Sequence, residues 1–251
     1  MELQNDKKGL NKALQDFDEL GKLTGGLAHE LKNPLSTVKL NLQLVYEDLQ
    51  KCNPAETDRA AVEQNSAKLN RAIRKISVIR KETERLEHIL ESFLQYVAKT
   101  RLKTSPADIN EIIGDMIDFY SPQADNRSIQ IKQNLCRSPL ICNVDANMLK
   151  QVFLNLFINA QQAMKDGGTL VIQTKKEKSD AVIKITDTGC GITPDKLPFI
   201  FDAYYSSRSQ GSGLGLATAK RIIEAHNGRI IAQSEPEKGT TFTIKIPAYN
   251  Q

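Results

Sequence analysis

The sequence predicts an α+β protein in two parts: an N-terminal antiparallel helical hairpin over residues 1–100, then an α/β sandwich over residues 101–251. Three observations carry this expectation. Leu35, Leu42 and Leu49 repeat every seven residues, interleaved with Leu31, Val38 and Val45, within a pattern that is helical from about residue 5 to residue 50. A second helical pattern, from about residue 56 to residue 99, carries two stripes. One is Leu69, Ile76, Thr83, Leu90 and Val97, and the other is Ala72, Ile79, Leu86 and Phe93. Beyond residue 100 the period changes, and short strand patterns mix with helices and glycine-rich turns.

Taken in order, the first helix contains Pro34, which lacks an N–H and crowds the preceding turn, so a bend is expected near residues 30–34. Cys52-Asn-Pro-Ala-Glu-Thr57 reads as the hairpin turn. Two long helices joined by a short turn pack antiparallel, and such wide stripes predict a homodimer closed as a four-helix bundle. Thr100 to Asp108, with Ser105-Pro106, reads as the linker. There follow a helix over 109–120, strands over 128–135 and 140–144, a helix over 145–165, and strands over 169–176 and 181–186. A loop-rich stretch over 187–213, a helix over 214–226 and strands over 229–234 and 240–247 complete the chain. Asp166-Gly-Gly168 and Ser179-Asp180 suit hairpin turns, and Asn227-Gly228 suits a helix C-cap. Without strict β-α-β alternation, this order predicts one mixed sheet with helices on one face.

Composition narrows the function. The 251 residues are 40% hydrophobic and 25% charged, ordinary for a globular protein. A net charge of +4 is too mild to argue for nucleic acid. No apolar run reaches about 18 residues, so no membrane segment is expected. The polar stretch Met1 to Lys8 does not read as a signal peptide. Cys52, Cys136, Cys142 and Cys190 lack C-x-x-C spacing and suit reduced thiols in the cytoplasm.

Several constellations carry chemistry. In Leu23-Thr-Gly-Gly-Leu-Ala-His-Glu-Leu-Lys-Asn-Pro-Leu35, a stripe of Leu27, Leu31, Leu35 and Val38 would leave His29 pointing away and Asn33 one turn above it. Glu30 could hold the ring in one tautomer and take its proton, as a histidine nucleophile requires. A solvated His-Glu face fits the same residues. A zinc site does not, because Asn33 stands where a second histidine would be needed. Asn155 and Asn159 lie four apart amid apolar residues. Either a structural amide network or a hard cation with phosphate oxygens would satisfy them. Asp187 ends a strand and could accept from an exocyclic amine such as that of adenine, with Gly189 and Gly191 allowing close backbone approach. Gln210-Gly-Ser-Gly-Leu-Gly-Leu-Ala217 opens a helix whose N-terminus favours phosphate, yet it is neither a Walker loop nor a dinucleotide fingerprint. Lys238-Gly-Thr-Thr-Phe242 is a strand entry that says little by itself.

Together these boxes resemble the sensor histidine kinases of two-component systems. His29-Glu30-Leu-Lys-Asn33-Pro34 resembles the phosphoacceptor box, and Asn155 to Ala160 the asparagine box. Asp187-Thr-Gly-Cys-Gly-Ile192 and Gly211-Ser-Gly-Leu-Gly-Leu216 resemble the first two glycine boxes, with Gly239-Thr-Thr-Phe242 the terminal one. Phe199 and Phe201 resemble the phenylalanine box, and Asn159-Ala-Gln-Gln-Ala163 is most similar to the nitrogen-regulation subgroup. The resemblance implies a Bergerat-type ATP-binding sandwich. In it Asp187, with Thr240 through water, would read adenine, and Asn159 would ligand Mg²⁺ beside Asn155. Gly189, Gly191, Arg208, Gly211, Ser212, Gly213, Leu214, Gly215 and Leu216 would complete the ATP site, with a mobile lid over about 193–213. His29 would attack the γ-phosphate with Glu30 as general base, and the phosphoryl group would pass to an aspartate of a response regulator receiver domain. Asn33 would orient water for dephosphorylating that regulator. An upstream sensor domain or sensory partner is implied as well.

Two departures stand out. Gln161-Gln162 occupy the place of a frequent lysine, leaving Lys165 and Lys220 as candidates for its charge, and Arg208 replaces a lid lysine. His226 resembles the helix-end histidine of the family and is expected to be structural. Type II topoisomerases, mismatch-repair ATPases, a heat-shock chaperone and anti-sigma-factor kinases share the sandwich, but they lack the helix with His29 and Asn33. A degenerate kinase that binds nucleotide as a scaffold is the remaining alternative.

Overall fold

The computed structural model describes residues 2–51, 58–98, 102–205 and 213–249, without the side chains of 2–20, 22 and 59–61. The expected hairpin turn at 52–57 lies outside the described residues. Two units emerge, Met1–Gln95 and Tyr96–Gln251.

The first unit is two helices, α1 (Glu2–Gln50) and α2 (Arg59–Val97). α1 continues as helix through Pro34. Ser36 Oγ and Thr37 Oγ1 donate to the carbonyls of Lys32 and Asn33, at 2.8 and 3.3 Å. The buried stripe differs from expectation at one position. Leu27, Leu31 and Val38 are half-buried and Pro34 is buried, but Leu35 is 53% exposed. At about 100° per residue, Pro34 falls within about 20° of Leu27 and about 40° of Val38, while Leu35 is carried about 80° from Leu27. The two stripes of α2 separate except at Val97, which is half-buried. Ala72 is buried and Ile79, Leu86 and Phe93 are half-buried, whereas Leu69, Ile76, Thr83 and Leu90 are exposed. Lys75 pairs with Asp48 at 2.7 Å across the hairpin.

The second unit is an α/β sandwich. A five-stranded mixed sheet has the order β2-β4-β5-β7-β6, with β2 (Ile129–Asn134), β4 (Gly168–Glu177), β5 (Asp180–Asp187), β6 (Arg229–Glu235) and β7 (Gly239–Pro247). β2 pairs parallel with β4, and the other pairings are antiparallel. Against one face lie α3 (Ile109–Asp125), α4 (Ala146–Ala163) and α5 (Gly215–Ala225). Alternate residues Leu170 and Ile172, Ile183 and Ile185, and Phe242 and Ile244 point into the core. The intervening Gln173, Lys184, Thr186, Thr241 and Lys245 give the other face its polar character.

Two expectations are corrected. Residues 105–108, read as linker, form strand β1 (Ser105–Asp108), which pairs antiparallel with β3 (Ile141–Val144) as a separate two-stranded sheet. The expected single sheet is therefore two. Pro106 is tolerated because so short a pair leaves one ladder edge free. Helix α3 runs to Asp125 rather than residue 120, passing Pro122. Ser121 Oγ donates to the Ile117 carbonyl at 2.7 Å in the turn that Pro122 interrupts. Asp108 and Asp145 cap α3 and α4, their carboxylates accepting from Asn110 N and Met148 N.

Phe157 of α4 is fully buried, with its ring 5.4 Å from Tyr120 of α3. Phe157→Ala is expected to cost about 3–5 kcal/mol of sandwich stability. Urea unfolding should show it as a lowered midpoint at unchanged slope.

Candidate functional site

On α1, His29 and Asn33 are exposed on the side away from Leu27, Leu31 and Pro34, and Glu30 is half-buried at the border of that stripe. Helical spacing thus presents an imidazole and an amide to solvent, with a carboxylate at the edge. His88, expected to be a surface residue, is exposed on α2.

In the sandwich, α4 brings Asn155 and Asn159 to the border of its buried face. Asn155 Nδ2 donates to the Gly215 carbonyl at 3.1 Å, and Asn159 Nδ2 to the Asn155 carbonyl at 2.7 Å. Both NH₂ groups are therefore directed at backbone oxygens. The side-chain carbonyl oxygens remain as hard donors suited to Mg²⁺. A Cβ built on Gly215 would lie 3.7 Å from Asn155 Oδ1 and 3.9 Å from Asn159 Nδ2, in ordinary van der Waals contact with both amides, so the start of α5 faces the asparagine pair.

The second half of the site lies at the ends of three strands. Asp187 of β5 registers with Thr240 of β7, and Thr240 with Ser234 of β6. Asp187 and Thr240 are buried at 3% and 4% exposure. Asp187 Oδ1 accepts from Gly189 N at 2.9 Å. Ser234 Oγ lies 3.0 Å from Thr240 Oγ1, donates to the Gly239 carbonyl at 2.8 Å and accepts from Ile192 N at 2.8 Å. Ser234 escapes sequence reasoning because it sits in no motif. Its signal is cross-strand register with Thr240, which a linear pattern does not show.

The loop after β5 is fastened on both sides. Cys190 N donates to the Ala163 carbonyl at 3.2 Å, one turn of α4 beyond Asn159. Glu237 N donates to the Cys190 carbonyl at 2.9 Å. Gly191 has φ +68°, and a Cβ there would lie 2.0 Å from the Glu235 carbonyl oxygen. Strand register, the helix end and the loop thus bring Asp187, Gly189, Gly191, Thr240 and the asparagine pair to one end of the sheet.

The remaining positions divide. Gly213 adopts φ +65° and its carbonyl accepts from Tyr204 N at 3.2 Å. Leu214 is fully buried, Gly215 starts α5, and Leu216 is half-buried. Arg208, Gly211 and Ser212 lie outside the described residues. Gln161 Oε1 accepts from Tyr120 and, at 3.1 Å, from Gln123, which ties it to α3. Burial pushes the Tyr120 phenol up to about 12, with Arg127 opposing. Lys220 lies over the Phe201 ring at 5.9 Å and within 4.0 Å of Glu224, and Lys165 is exposed. Phe201 meets Phe242 edge-on and Phe199 stacks at a tilt on Tyr205.

Residues 19–102 match the family described as "His Kinase A (phospho-acceptor) domain", and residues 144–250 match "Histidine kinase-, DNA gyrase B-, and HSP90-like ATPase". The chain belongs to the sensor histidine kinases of two-component systems. It is 34% identical over 229 residues to the sensor histidine kinase ZraS of Salmonella typhi, covering 91% of this chain and 46% of that one. It is 33% identical over 248 residues to sporulation kinase E of Bacillus subtilis (strain 168), covering 96% of this chain and 31% of the relative. This histidine kinase core therefore spans less than half the length of either relative. In fold it is similar to the histidine kinase ThkA solved in complex with the response regulator protein TrrA, with TM-score 0.70, 22% identity, and coverage of 95% of this chain and 65% of that one. The mycobacterial sensor histidine kinase MprB aligns over 59% of this chain and 99% of its own, at 25% identity and TM-score 0.53.

Two glycines at the site's halves are expected to respond unequally to alanine. Gly191→Ala should lower stability by about 1–3 kcal/mol, from strain at positive φ and a backbone clash. Gly215→Ala, whose Cβ would meet Asn155 and Asn159 only at ordinary van der Waals distance, should stay within about 0.5 kcal/mol of wild type. Paired urea titrations check both.

Proposed function

We propose that this protein is an ATP-dependent protein-histidine autokinase that phosphorylates His29 and passes the phosphoryl group to an aspartate of a response regulator. The observation that carries the reading is the exposed His29, with half-buried Glu30 beside it, on a chain whose sandwich gathers Asp187, Thr240 and two free amide oxygens at one sheet end.

In this reading Asp187 accepts from the adenine amine, with Thr240 and Ser234 completing the polar row. Asn159, with Asn155 beside it, holds Mg²⁺, which when bound neutralises charge on the triphosphate. Gly213, Gly215 and the start of α5 offer backbone amides to the phosphates. Arg208, Gly211 and Ser212 contribute from the lid. One ring nitrogen of His29 forms a bond to the γ-phosphorus as the bond to the ADP oxygen breaks, and Glu30 takes the proton from the ring. The phosphoryl group then moves from nitrogen to the aspartate oxygen of the regulator. ThkA's complex with TrrA supports a receiver partner of this kind. Exposed Asn33, one turn from His29, would orient a water for hydrolysis of the regulator's aspartyl phosphate, which releases inorganic phosphate and restores the carboxylate. The proposed division is 1–100 for dimerisation and phosphotransfer and 101–251 for catalysis. A sensory domain or partner upstream and a cytoplasmic location complete the reading. Among the described residues, no helix is long and apolar enough to cross a membrane.

A homodimer follows from the exposed stripes. Leu35, Leu42 and Leu49 on α1, and Leu69, Ile76 and Leu90 on α2, are 46–53% exposed. Seven-residue spacing aligns them as seams that a second hairpin would cover.

Incubation with γ-labelled ATP and Mg²⁺ should give acid-labile, base-stable label on the wild type and none on His29→Gln. Nucleotide binding with no label on the wild type would overturn the autokinase reading. Leu42→Glu with Ile76→Glu should shift sedimentation from dimer to monomer with helix content kept. A wild-type chain that sediments as a monomer at micromolar concentration would overturn the dimer.

A further inference from the structure

Asp145 lies at the opposite end of α4 from the site, and each of its polar groups is engaged. Its N–H donates to His226 Nε2 at 2.9 Å, and its carbonyl accepts from Leu149 N at 3.0 Å. Oδ1 accepts from Met148 N at 3.2 Å, and Oδ2 from Lys103 N at 2.9 Å. Asp145 is 8% exposed and His226 5% exposed. Since Nε2 accepts, the His226 proton sits on Nδ1, which donates to the Ile222 carbonyl at 2.8 Å.

A helix cap needs one oxygen. Oδ1 fills that role, so the bond from Oδ2 to Lys103 is surplus to capping. Lys103 belongs to the segment that enters the sandwich immediately before β1. Burial would raise the Asp145 carboxyl, but the N–H groups of Lys103, Met148 and Asn147 outweigh it and hold the group below its ordinary value.

The middle of α4 and the first residue of α5 meet in the candidate site. Asn155 of α4 donates to Gly215, the first residue of α5, while His226 just past the end of α5 takes the N–H of Asp145. Helix α5 is thus tied to α4 at both of its own ends, by polar bonds that reach the N-cap and the middle of α4, about 15 Å apart at about 1.5 Å per residue. One junction faces the amides and the other holds the entering segment.

We infer that Asp145 and His226 are positioning residues that couple the entering segment at Lys103 to the nucleotide site through the α4–α5 pair. A shift at Lys103 alters the Asn155–Gly215 contact, and nucleotide bound at that contact tightens the Lys103 bond in return, because coupling between two sites is reciprocal. The inference rests on the nucleotide reading of the site given above.

The test is hydrogen exchange at the Lys103 amide, with and without ADP and Mg²⁺, beside a calorimetric binding isotherm on the same full chain. In the wild type, ADP should slow Lys103 exchange about fivefold or more, the lower range of typical inter-site coupling. Asp145→Ser keeps a cap oxygen for Met148 but is too short for Lys103. In that variant the amide should exchange fast and ignore ADP, and ADP affinity should fall about fivefold. His226→Phe removes the acceptor while keeping an aromatic ring, and should blunt the same response. Wild-type ADP binding with unchanged Lys103 exchange overturns the inference. So does an Asp145→Ser protein that melts lower yet keeps the ADP response, since the role would then be capping alone. Absence of ADP binding by the wild type overturns the nucleotide reading itself and is seen directly in the isotherm.

Discussion

Helix α4 cannot turn about its own axis without burying an amide. Leu149, Val152, Phe153, Leu156 and Phe157 are fully buried against the sheet and α3, and Asn155 and Asn159 stand just off that face. A rotation of one residue, about 100°, would drive an asparagine into the core and expose a phenylalanine. Burying an unpaired amide costs on the order of 1–3 kcal/mol, and losing a buried phenylalanine costs more. The hydrophobic pattern therefore fixes the aim of the amides. The Gly215 carbonyl fixes which atom of Asn155 faces outward, because it accepts the NH₂.

The rest of the site is referred to that helix. The loop after β5 is bonded to Ala163, and Gly191 lets it lie against the Glu235 carbonyl where a methyl group could not. Asp187 and Thr240 are set by register in the sheet, so their spacing is as firm as the ladder between β5 and β7. Rigid placement suits electrostatic recognition, since donors and acceptors already held in position need little reorganisation when a charged ligand arrives.

Much of this was legible in the sequence. A sustained 3.6-residue period over α1 and α2 has few competing explanations, and the two stripes of α2 part into a buried and half-buried Ala72 series and a Leu69 series exposed up to Leu90. The asparagine pair was visible because it interrupts an apolar run, and Asp187 because it ends a strand just before Gly189 and Gly191. What escaped depended on partners distant in the chain. Strand β1 is four residues containing Pro106, too short for a period, and it exists because β3 supplies the other half of its ladder. Helix α3 continues past Pro122 although a proline there reads as a stop. Leu35 was assigned to the buried stripe because leucine is apolar, whereas the helix places Pro34 there. Ser234 could be found only through its register opposite Thr240.

The helix-end histidine shows why a structural assignment and a functional one need not compete. His226 is buried and fully bonded, as expected for a residue that stabilises the fold. Its partner is the N–H of a residue whose carboxylate also grips the entering segment, so the bond that steadies α4 and α5 lies in series with the bond to Lys103. A packed helix pair joined at two separated points transmits displacement better than one joined at a single point, because slack away from that point would absorb the movement. Polar bonds suit such junctions. Their geometry is directional, whereas apolar packing tolerates sliding at nearly constant buried area.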